Sequence, residues 1–479
     1  MELHVVINGR KDLAGQLYKQ LRSAIESGRL AAGMQLPPTR LLAEQLGISR
    51  KTISDIYAQL TYENFLIGRV GKGTYVNARP SRATRKQNAS DLACADRVNT
   101  WLSLPSPLPD PSLEGTVRYD FVGGATHKGQ FPHDEWRRCT QYALRQMQRS
   151  AGFYSQPEGL PALRSAIAQH IAFCRGVVCQ ESDIVVCNGT QQALDLVARV
   201  VLEHGSIVAV EDPGYPPARL LFASQGATVV GIPVDEEGIR VDLIPEGTRL
   251  IYVTPAHQFP LGMPMSVDRR VALLSRAKAL GAIIIEDDYD SEFRYEGLPT
   301  DSLQSMDQHG IVIFVGTFSK TMLPELRLGY AVLPPSIHEA VVRAKQFMDW
   351  HTSILAQWAL ARFMTDGKLQ KHIRRGHTIY SGRRERILSR LKGDLSAWLE
   401  VIHITAGFHI TARFKHPIDL GLLVELCRKV EVGLYPIDRF FYQQAPQCGL
   451  LIGFGSIETL DIDPALDRLH DMLMQLDER

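Results

Sequence analysis

Lys320 lies just after an apolar, strand-like run, where an ammonium group is costly to bury. Lys320 follows the apolar run IVIFVG at 311–316 and the short segment Thr317–Ser319. Burying an ammonium group beside a strand carries a large desolvation cost. A Schiff base with a carbonyl ligand would remove that charge and give the lysine a chemical role. The alternative, commoner for a single lysine, is a side chain whose amine extends back to water.

Two further segments place polar groups at predicted strand ends. The run AIIIEDDYD ends in Asp287, Asp288 and Tyr289. Acids at such a position are also found as metal ligands or, more often, as solvated caps. The turn 188–191 follows another strand and opens a helix, where free N–H groups bind phosphate. Taken alone, this turn is weak evidence.

An aromatic residue and an arginine complete the set. Tyr215, in EDPGYPP, either stacks on a flat ligand or simply packs, and Arg327 follows Lys320 within reach of a phosphate held by Thr317 and Ser319. Pyridoxal 5′-phosphate (PLP) needs a lysine for its aldehyde, a carboxylate for its ring nitrogen, an aromatic ring and a phosphate cradle. Together the five segments predict a PLP site.

The elements that must position these groups alternate along the chain. Strand-like runs lie at 183–187, 206–210, 227–232, 250–254, 282–285 and 311–316, and helical stretches such as 191–203 and 269–280 lie between them. Buried strands separated by helices predict a mainly parallel α/β sheet. Ligands bind beyond the carboxyl ends of such strands. The C-terminal part mixes helices and short strands, which is typical of a smaller α+β lobe.

The N-terminal part follows a different pattern. Leucines recur every four residues from Leu13, a second helix starts near Thr39, and Ser49 suits the N-cap of a third. A hairpin with its tip at 71–73 follows. This order is that of a winged helix-turn-helix, whose third helix offers a polar face to base edges. A helical docking domain with solvated charges is the alternative.

Charge and composition agree with this division. The 479 residues carry a net charge of +1, but residues 1–90 contain 14 Lys and Arg against six Asp and Glu, which leaves −7 for the rest. A basic head suggests a polyanionic partner. No apolar run is long enough for a membrane span, no secretory signal opens the chain, and seven cysteines without a CxxC pair argue against disulfides or zinc. We expect a cytoplasmic protein without a metal site, with domains at 1–78 and 118–479 joined by a linker at 79–117.

The head resembles the GntR-family DNA-binding domain. LPPTRLLAEQLGISRKTISDIYAQL and GKGTYV carry the resemblance over residues 11–78. It implies double-stranded promoter DNA as a partner. The residues it places at the DNA are Arg40, Ser49, Arg50, Lys51 and Thr52, with Lys72 and Gly73 in the wing.

The remainder is similar to the type I aminotransferase family over about 118–475, through the order of phosphate turn, tyrosine, aspartate and SK…R. The resemblance implies the α/β fold of that family, with Lys320 as the Schiff-base lysine and Asp287 as the partner of the ring nitrogen. It places Tyr289 near the 3′-oxygen and Tyr215 on the ring. The implied phosphate ligands are Gly189, Thr190, Thr317, Ser319 and Arg327. Tyr154, in YSQPEGLPALR, would reach the phosphate of a partner subunit, which implies a homodimer.

Two positions depart from the aminotransferase pattern. Phe259 replaces an asparagine that hydrogen-bonds the cofactor, so that His257 or Tyr289 would compensate. Leu451 replaces the arginine that binds a substrate carboxylate, with Arg413 or Arg439 as possible substitutes. A GntR-like head on such a body resembles the MocR/GabR-type transcription regulators. The resemblance implies a PLP-dependent regulator, not an enzyme, that senses a small amine or PLP itself. An aminotransferase with a DNA-binding appendage and a cofactor-free scaffold are the alternatives.

Overall fold

A computed structural model describes residues 12–69, 72–77, 94–106, 117–297 and 301–477. The chain divides into two units, and the boundary between Asn99 and Thr100 falls inside the predicted linker. Among the described residues, no helix combines the length and the apolar composition that a membrane crossing requires.

The first unit has the predicted order of helices and hairpin. Its elements are α1 (Leu13–Glu26), α2 (Thr39–Leu46), α3 (Arg50–Tyr62), β1 (Leu66–Arg69) and β2 (Gly73–Val76). Leu17 and Leu21 of α1 pack with Ile53 and Leu60 of α3 in one buried core. β1 and β2 pair antiparallel. The winged helix-turn-helix prediction is confirmed, although part of the predicted tip at 71–73 lies outside the described residues.

The elements after the head are α4 (Ala95–Ser103), β3 (Tyr119–Asp120), α5 (His133–Arg149), α6 (Pro161–Arg175), β4 (Ile184–Cys187), α7 (Thr190–Val201), β5 (Ile207–Asp212), α8 (Pro216–Ser224), β6 (Thr228–Asp235), β7 (Gly238–Ile239), β8 (Thr248–Val253), α9 (Val267–Leu280), β9 (Ile283–Asp288), β10 (Val312–Thr317), β11 (Gly329–Val332), α10 (Pro335–Asp349), α11 (Ile354–Thr365), α12 (Lys368–Lys392), β12 (Leu399–Val401), β13 (His409–Phe414), α13 (Leu420–Lys429), β14 (Val432–Gly433), β15 (Tyr435–Pro436), β16 (Gly449–Gly453) and α14 (Ile462–Asp477). α4 is a helix that the sequence analysis did not predict.

The central sheet has eight strands in the order β4-β11-β10-β9-β8-β5-β6-β7. The run from β10 to β6 is parallel, as predicted, whereas β11 is antiparallel to both of its neighbours and β7 is antiparallel to β6. The parallel strands therefore bring their carboxyl ends to one edge.

Both faces of this sheet are covered by helices. In β4, Ile184 and Val186 pack with α6 and α11, while Val185 and Cys187 pack with α7. Successive side chains of a strand point to opposite faces, so every residue of β4 is buried. This two-sided burial explains why the strands are continuous apolar runs.

The C-terminal lobe is built on a second sheet, with the order β12-β13-β16-β15 and antiparallel pairing. Its core joins Ile410 of β13 and Ile452 of β16 to Leu466 and Leu469 of α14. This is the smaller α+β lobe that the sequence predicts.

Candidate cofactor site and nucleic-acid interface

A cavity of about 560 Å³ opens at the carboxyl edge of the parallel strands. Its volume lies in the range of small-molecule sites. The predicted cofactor residues that line it are Thr190, Tyr215, Asp287, Tyr289, Thr317, Ser319, Lys320 and Arg327. The strand order thus brings together groups that lie far apart in sequence.

Lys320 lies just beyond the end of β10, and its Nζ donates to the carbonyl oxygen of Gly124. Gly124 has φ +72°, and a Cβ there would come within 2.7 Å of Nζ, so a glycine makes room for the amine. Burial lowers the pKa of Lys320, and the charges of Asp290 and Asp287 oppose that shift. A lowered pKa favours the neutral amine that attacks an aldehyde.

Asp287 is the carboxylate that faces the cavity. Its Oδ2 accepts a hydrogen bond of 2.7 Å from the hydroxyl of Tyr252, and its buried Oδ1 has no partner within the described part of the chain. Burial is the main cause that raises the pKa of Asp287 to about 7. An unpaired carboxylate oxygen beside a lysine fits a ligand with a cationic ring N–H. The adjacent Asp288 instead pairs with the buried Arg175.

The other end of the cavity suits a phosphate. Gly189, with φ +80°, is the N-cap of α7, and the first N–H groups of a helix have no partner inside it. Arg327 Nη2 donates to the carbonyl oxygen of Asn188 at 3.0 Å, and a Cβ on Gly189 would lie 2.7 Å from that nitrogen. Thr317 and Ser319 place their hydroxyls 3.1 Å apart. Amides, hydroxyls and a guanidinium together form an anion site.

Phe259 takes an aromatic role in the cavity wall. Its ring meets Tyr215, Tyr289 and His409 edge-on, with centroid distances of 5.7, 6.1 and 5.9 Å. Phe440 lies closer, at 4.9 Å. Edge-to-face pairs of this kind are favourable. Phe259 therefore joins Tyr215 to Phe440 of the C-terminal lobe.

The C-terminal lobe supplies the rest of the wall. Leu451 packs against Gly123, where a Cβ would lie 2.3 Å from its Cδ2. Arg439 also lines the cavity. The loop after Arg439 is held by Asp212, whose carboxylate accepts from the N–H groups of residues 442, 443 and 444 at 2.9, 2.7 and 2.9 Å. The wall around the predicted substrate end is therefore apolar at 451 and cationic at 439.

Three predicted cofactor residues lie off the cavity wall. Gly189 sits behind the side chain of Arg327. His257 is 2% exposed and lies behind Tyr289, because the chain around it is folded beneath the wall. Tyr154 is 73% exposed on the surface, where its ring packs on Trp350 at 4.3 Å.

Several residues at the site were not predicted, among them Tyr252 and His409. Tyr252 bonds Asp287, and His409 lines the cavity. A tyrosine near the end of the strand Thr248–Val253 could have indicated Tyr252. His409 comes from the other lobe, and nothing local in the sequence distinguishes it.

The predicted DNA-contacting residues lie at the start of α2, the start of α3 and the wing. Arg40, Arg50 and Lys51 are exposed, as are Ser49, Lys72 and Gly73, whereas Thr52 is half-buried. The Ser49 hydroxyl accepts the Thr52 N–H at 3.1 Å, as expected of an N-cap.

The wing is held by side-chain hydrogen bonds to the main-chain oxygen of Lys72. The carbonyl oxygen of Lys72 accepts from Gln35 Nε2 at 2.7 Å and from the Tyr75 hydroxyl at 3.0 Å. Gly73 has φ +104°, and a Cβ there would lie 2.8 Å from Gln35 Nε2. The exposed lysine is thus presented on a hairpin whose conformation is set by bonds to its main chain.

Comparison with known proteins gives the same two parts. Residues 13–76 match the family "Bacterial regulatory proteins, gntR family", and residues 124–417 match "Aminotransferase class I and II". The probable rhizopine catabolism regulatory protein MocR of Rhizobium meliloti is 34% identical over 464 residues, covering 96% of this chain and 94% of MocR. The pyridoxine biosynthesis regulator PdxR of Corynebacterium glutamicum is 29% identical over 446 residues, which cover 92% of this chain and 91% of PdxR.

Among solved structures, the kynurenine aminotransferase of Pyrococcus horikoshii superposes with a TM-score of 0.70 at 28% identity, covering 76% of this chain and 92% of that one. The aminotransferase fold therefore accounts for the second unit, and the regulators account for nearly the whole chain. The chain belongs to the MocR/GabR-type transcriptional regulators, in which a GntR-family helix-turn-helix domain is joined to an aminotransferase-like domain.

Proposed function

We propose that this regulator binds PLP at Lys320 and changes its binding to promoter DNA when the cavity is occupied. The observation that carries the proposal is the buried Asp287 Oδ1, which lacks a partner among the described residues and lies in the same cavity as Lys320. A buried carboxylate oxygen without a donor is costly. A ring N–H supplies the missing donor.

The other lining residues suit the remaining parts of the cofactor. Arg327, Thr317 and Ser319, with the first amides of α7, would hold the phosphate, and Tyr215 would cover the ring. When bound, PLP supplies an aldehyde that combines reversibly with primary amines. Asp287 would favour the protonated ring nitrogen, and the apolar part of the wall would exclude water.

Two ligand classes fit this cavity as the sensed molecule. A small primary amine would compete with Lys320 for the aldehyde, and Arg439 would pair with any anionic group that it carries. PLP itself is the second class. Leu451 favours it, because an aliphatic side chain cannot pair with a substrate carboxylate. The relative named as a regulator of pyridoxine biosynthesis gives the same class independent support.

We further propose that two copies form a dimer through an exposed aromatic surface made by Phe153, Tyr154, Phe347 and Trp350. These side chains are 89%, 73%, 85% and 54% exposed. Large contiguous apolar surfaces mark interaction sites. In a dimer Tyr154 would be free to reach the partner's phosphate.

Sedimentation tests the dimer. Phe153→Asp combined with Phe347→Asp is expected to give monomers, whereas Leu460→Asp, at an 84% exposed leucine elsewhere, serves as the control. A double variant that remains dimeric contradicts this surface.

Footprinting on the DNA upstream of the gene tests the function. Protection is expected to change on addition of PLP in the wild type and in Lys278→Ala, an exposed lysine of α9, but not in Lys320→Ala. Protection that is indifferent to PLP would leave a DNA-binding scaffold.

The alternative of a working aminotransferase makes a different prediction. It requires multiple turnovers with a panel of amino donors and keto acceptors. We expect turnover at background, because Leu451 removes the arginine that orients substrate carboxylates in the family. Steady turnover with any ordinary amino acid would favour the enzyme.

A further inference from the structure

Behind Tyr289 lies a buried cluster of polar side chains to which the proposed function gives no role. His257 Nδ1 is 2.9 Å from Asp290 Oδ1 and 3.1 Å from the hydroxyl oxygen of Tyr289. The ring of His409 packs on that of His257 with a centroid distance of 4.8 Å. His257, Asp290 and His409 are each 2% exposed. Only Tyr289 and His409 reach the cavity wall.

The backbone holds the imidazole of His257 in place. A Cβ on Gly407 would lie 2.0 Å from His257 Cε1, and one on Gly262 would lie 3.2 Å from Nε2. Both glycines have positive φ, +89° and +92°, a region that residues with side chains rarely adopt. The ring therefore occupies a slot that only glycines leave open.

Asp290 selects the tautomer of that ring. A carboxylate only accepts hydrogen bonds, so the contact at 2.9 Å places the proton on Nδ1 of His257. The buried Nε2 of His257 has no partner within the described ranges, which suits a lone pair better than a second N–H. The neighbouring His409 stays neutral, because burial and the proximity of His257 lower its pKa to about 3.

This tautomer places a donor beside the oxygen of Tyr289. The Tyr289 O–H itself donates to the backbone carbonyl of His257 at 3.0 Å. Nδ1 carries one proton, and its distances of 2.9 Å to Asp290 Oδ1 and 3.1 Å to the Tyr289 oxygen let both oxygens share that N–H group. The hydroxyl can then turn its own proton toward a ligand oxygen and keep this shared donor. Tyr289 lines the cavity, and His257 holds its hydroxyl.

We propose that His257, oriented by Asp290, is a positioning residue that makes Tyr289 a hydrogen-bond donor to an oxygen of the bound cofactor. The inference rests on the proposed function, since it requires PLP in the cavity. A donor beside a phenolic oxygen of the cofactor would stabilise the negative charge that this oxygen carries once the bound group has lost a proton. The dyad of His257 and Asp290 would therefore lower the pH at which the visible absorbance of the PLP-loaded protein changes.

Other titratable groups share this environment. Besides burial, the charge of Lys320 lowers the pKa of His409. Burial raises the pKa of Tyr289, and so do the charges of Asp287, Asp288 and Glu211. All of them stay in place in the variants chosen below, so the difference between variants isolates the dyad.

The test is a spectrophotometric pH titration of the PLP-loaded full-length protein. We expect Tyr289→Phe to raise the absorbance midpoint by about one pH unit and Asp290→Asn to raise it by about half as much. In the double variant the two shifts should not add, because both act through one hydroxyl. His170→Asn replaces another buried histidine, in α6, and should leave the midpoint unchanged.

Several results would overturn the inference. Asp290→Asn with an unmoved midpoint, or with a shift that adds fully to that of Tyr289→Phe, would reduce the dyad to a packing role. His257, Asp290 and His409 lie close enough to share a cation, so metal content is measured in the same samples. Stoichiometric metal that is lost in Asp290→Asn would replace the inference with a metal site. A wild-type protein without visible absorbance refutes the proposed function instead.

Discussion

The hydroxyl of Tyr252 provides a sharp test of the proposed cofactor site. Removing it in Tyr252→Phe leaves the ring in β8 and deletes the 2.7 Å bond to Asp287 Oδ2. That bond lowers the pKa of Asp287, which burial has already raised to about 7. Without it, the carboxylate is protonated over a wider pH range and pairs less well with a cationic ring nitrogen.

A hydrogen bond to a charged group contributes about 1.5–3 kcal/mol. Since the bond favours the ionised form of Asp287, its loss should weaken affinity by about 10- to 100-fold at pH values below the pKa of Asp287, and less as the pH rises. Pyridoxamine 5′-phosphate is the right probe, because it has no aldehyde and its binding therefore does not depend on Lys320 as a nucleophile. The dissociation constant is measured by calorimetry from about pH 6 to 9, which spans the pKa of about 7 for Asp287.

The direction of the pH dependence follows from the raised pKa of Asp287. Ring binding requires the ionised carboxylate, so wild-type affinity should rise as the pH passes about 7. The same rise should occur at higher pH in Tyr252→Phe. Tyr435→Phe is the matched control, since its hydroxyl also donates at 2.7 Å to a carboxylate, that of Asp120. An unshifted profile in Tyr252→Phe, or an equal loss in Tyr435→Phe, would refute the reasoning.

Three further predictions concern the phosphate end, the recognition helix and the DNA. Gly189→Ala puts a Cβ 2.7 Å from the Arg327 side chain at a backbone φ of +80°. We expect calorimetry to show about tenfold weaker PLP binding and little change in the binding of pyridoxal, which lacks the phosphate. Equal losses for both ligands would indicate general damage to the fold. Ser49→Ala removes the N-cap acceptor of α3, at about 1 kcal/mol, and should speed hydrogen exchange of the α3 amides about fivefold; unchanged exchange would show that the cap adds nothing. Arg50→Ala with Lys51→Ala should abolish specific DNA binding, and for the non-specific binding that remains it should reduce the slope of log affinity against log salt by about 1.8. PLP binding should stay intact, and loss of both activities would indicate misfolding.

The sheet was predictable where its strands are buried on both faces. Runs such as 183–187 and 311–316 indicate strands because most of their positions are apolar and buried between helices. β11 (Gly329–Val332) was not among the predicted strands. Its place between β4 and β10 depends on the tertiary fold. The helix Ala95–Ser103 was missed because the surrounding polar and proline-rich sequence dominated the interpretation.

The candidate site was predictable to the extent that its groups follow strands. Lys320 and Asp287 project into one cavity because neighbouring parallel strands end at one edge. The cluster behind Tyr289 was not predictable, since His257 and His409 belong to different lobes and meet only after folding. The assignment of PLP-contacting and DNA-contacting residues stays a prediction. The position of His257 behind the wall argues for an indirect contribution.

The three amides held by Asp212 have a consequence for the speed of the response. A loop that is already tied to the end of β5 loses little further freedom when a ligand arrives. Association then need not wait for that part of the wall to close, and differences between ligands are expressed mainly in how slowly they leave. For a gene switch, the residence time of the ligand would then set how long a transcriptional response persists after the signal is gone.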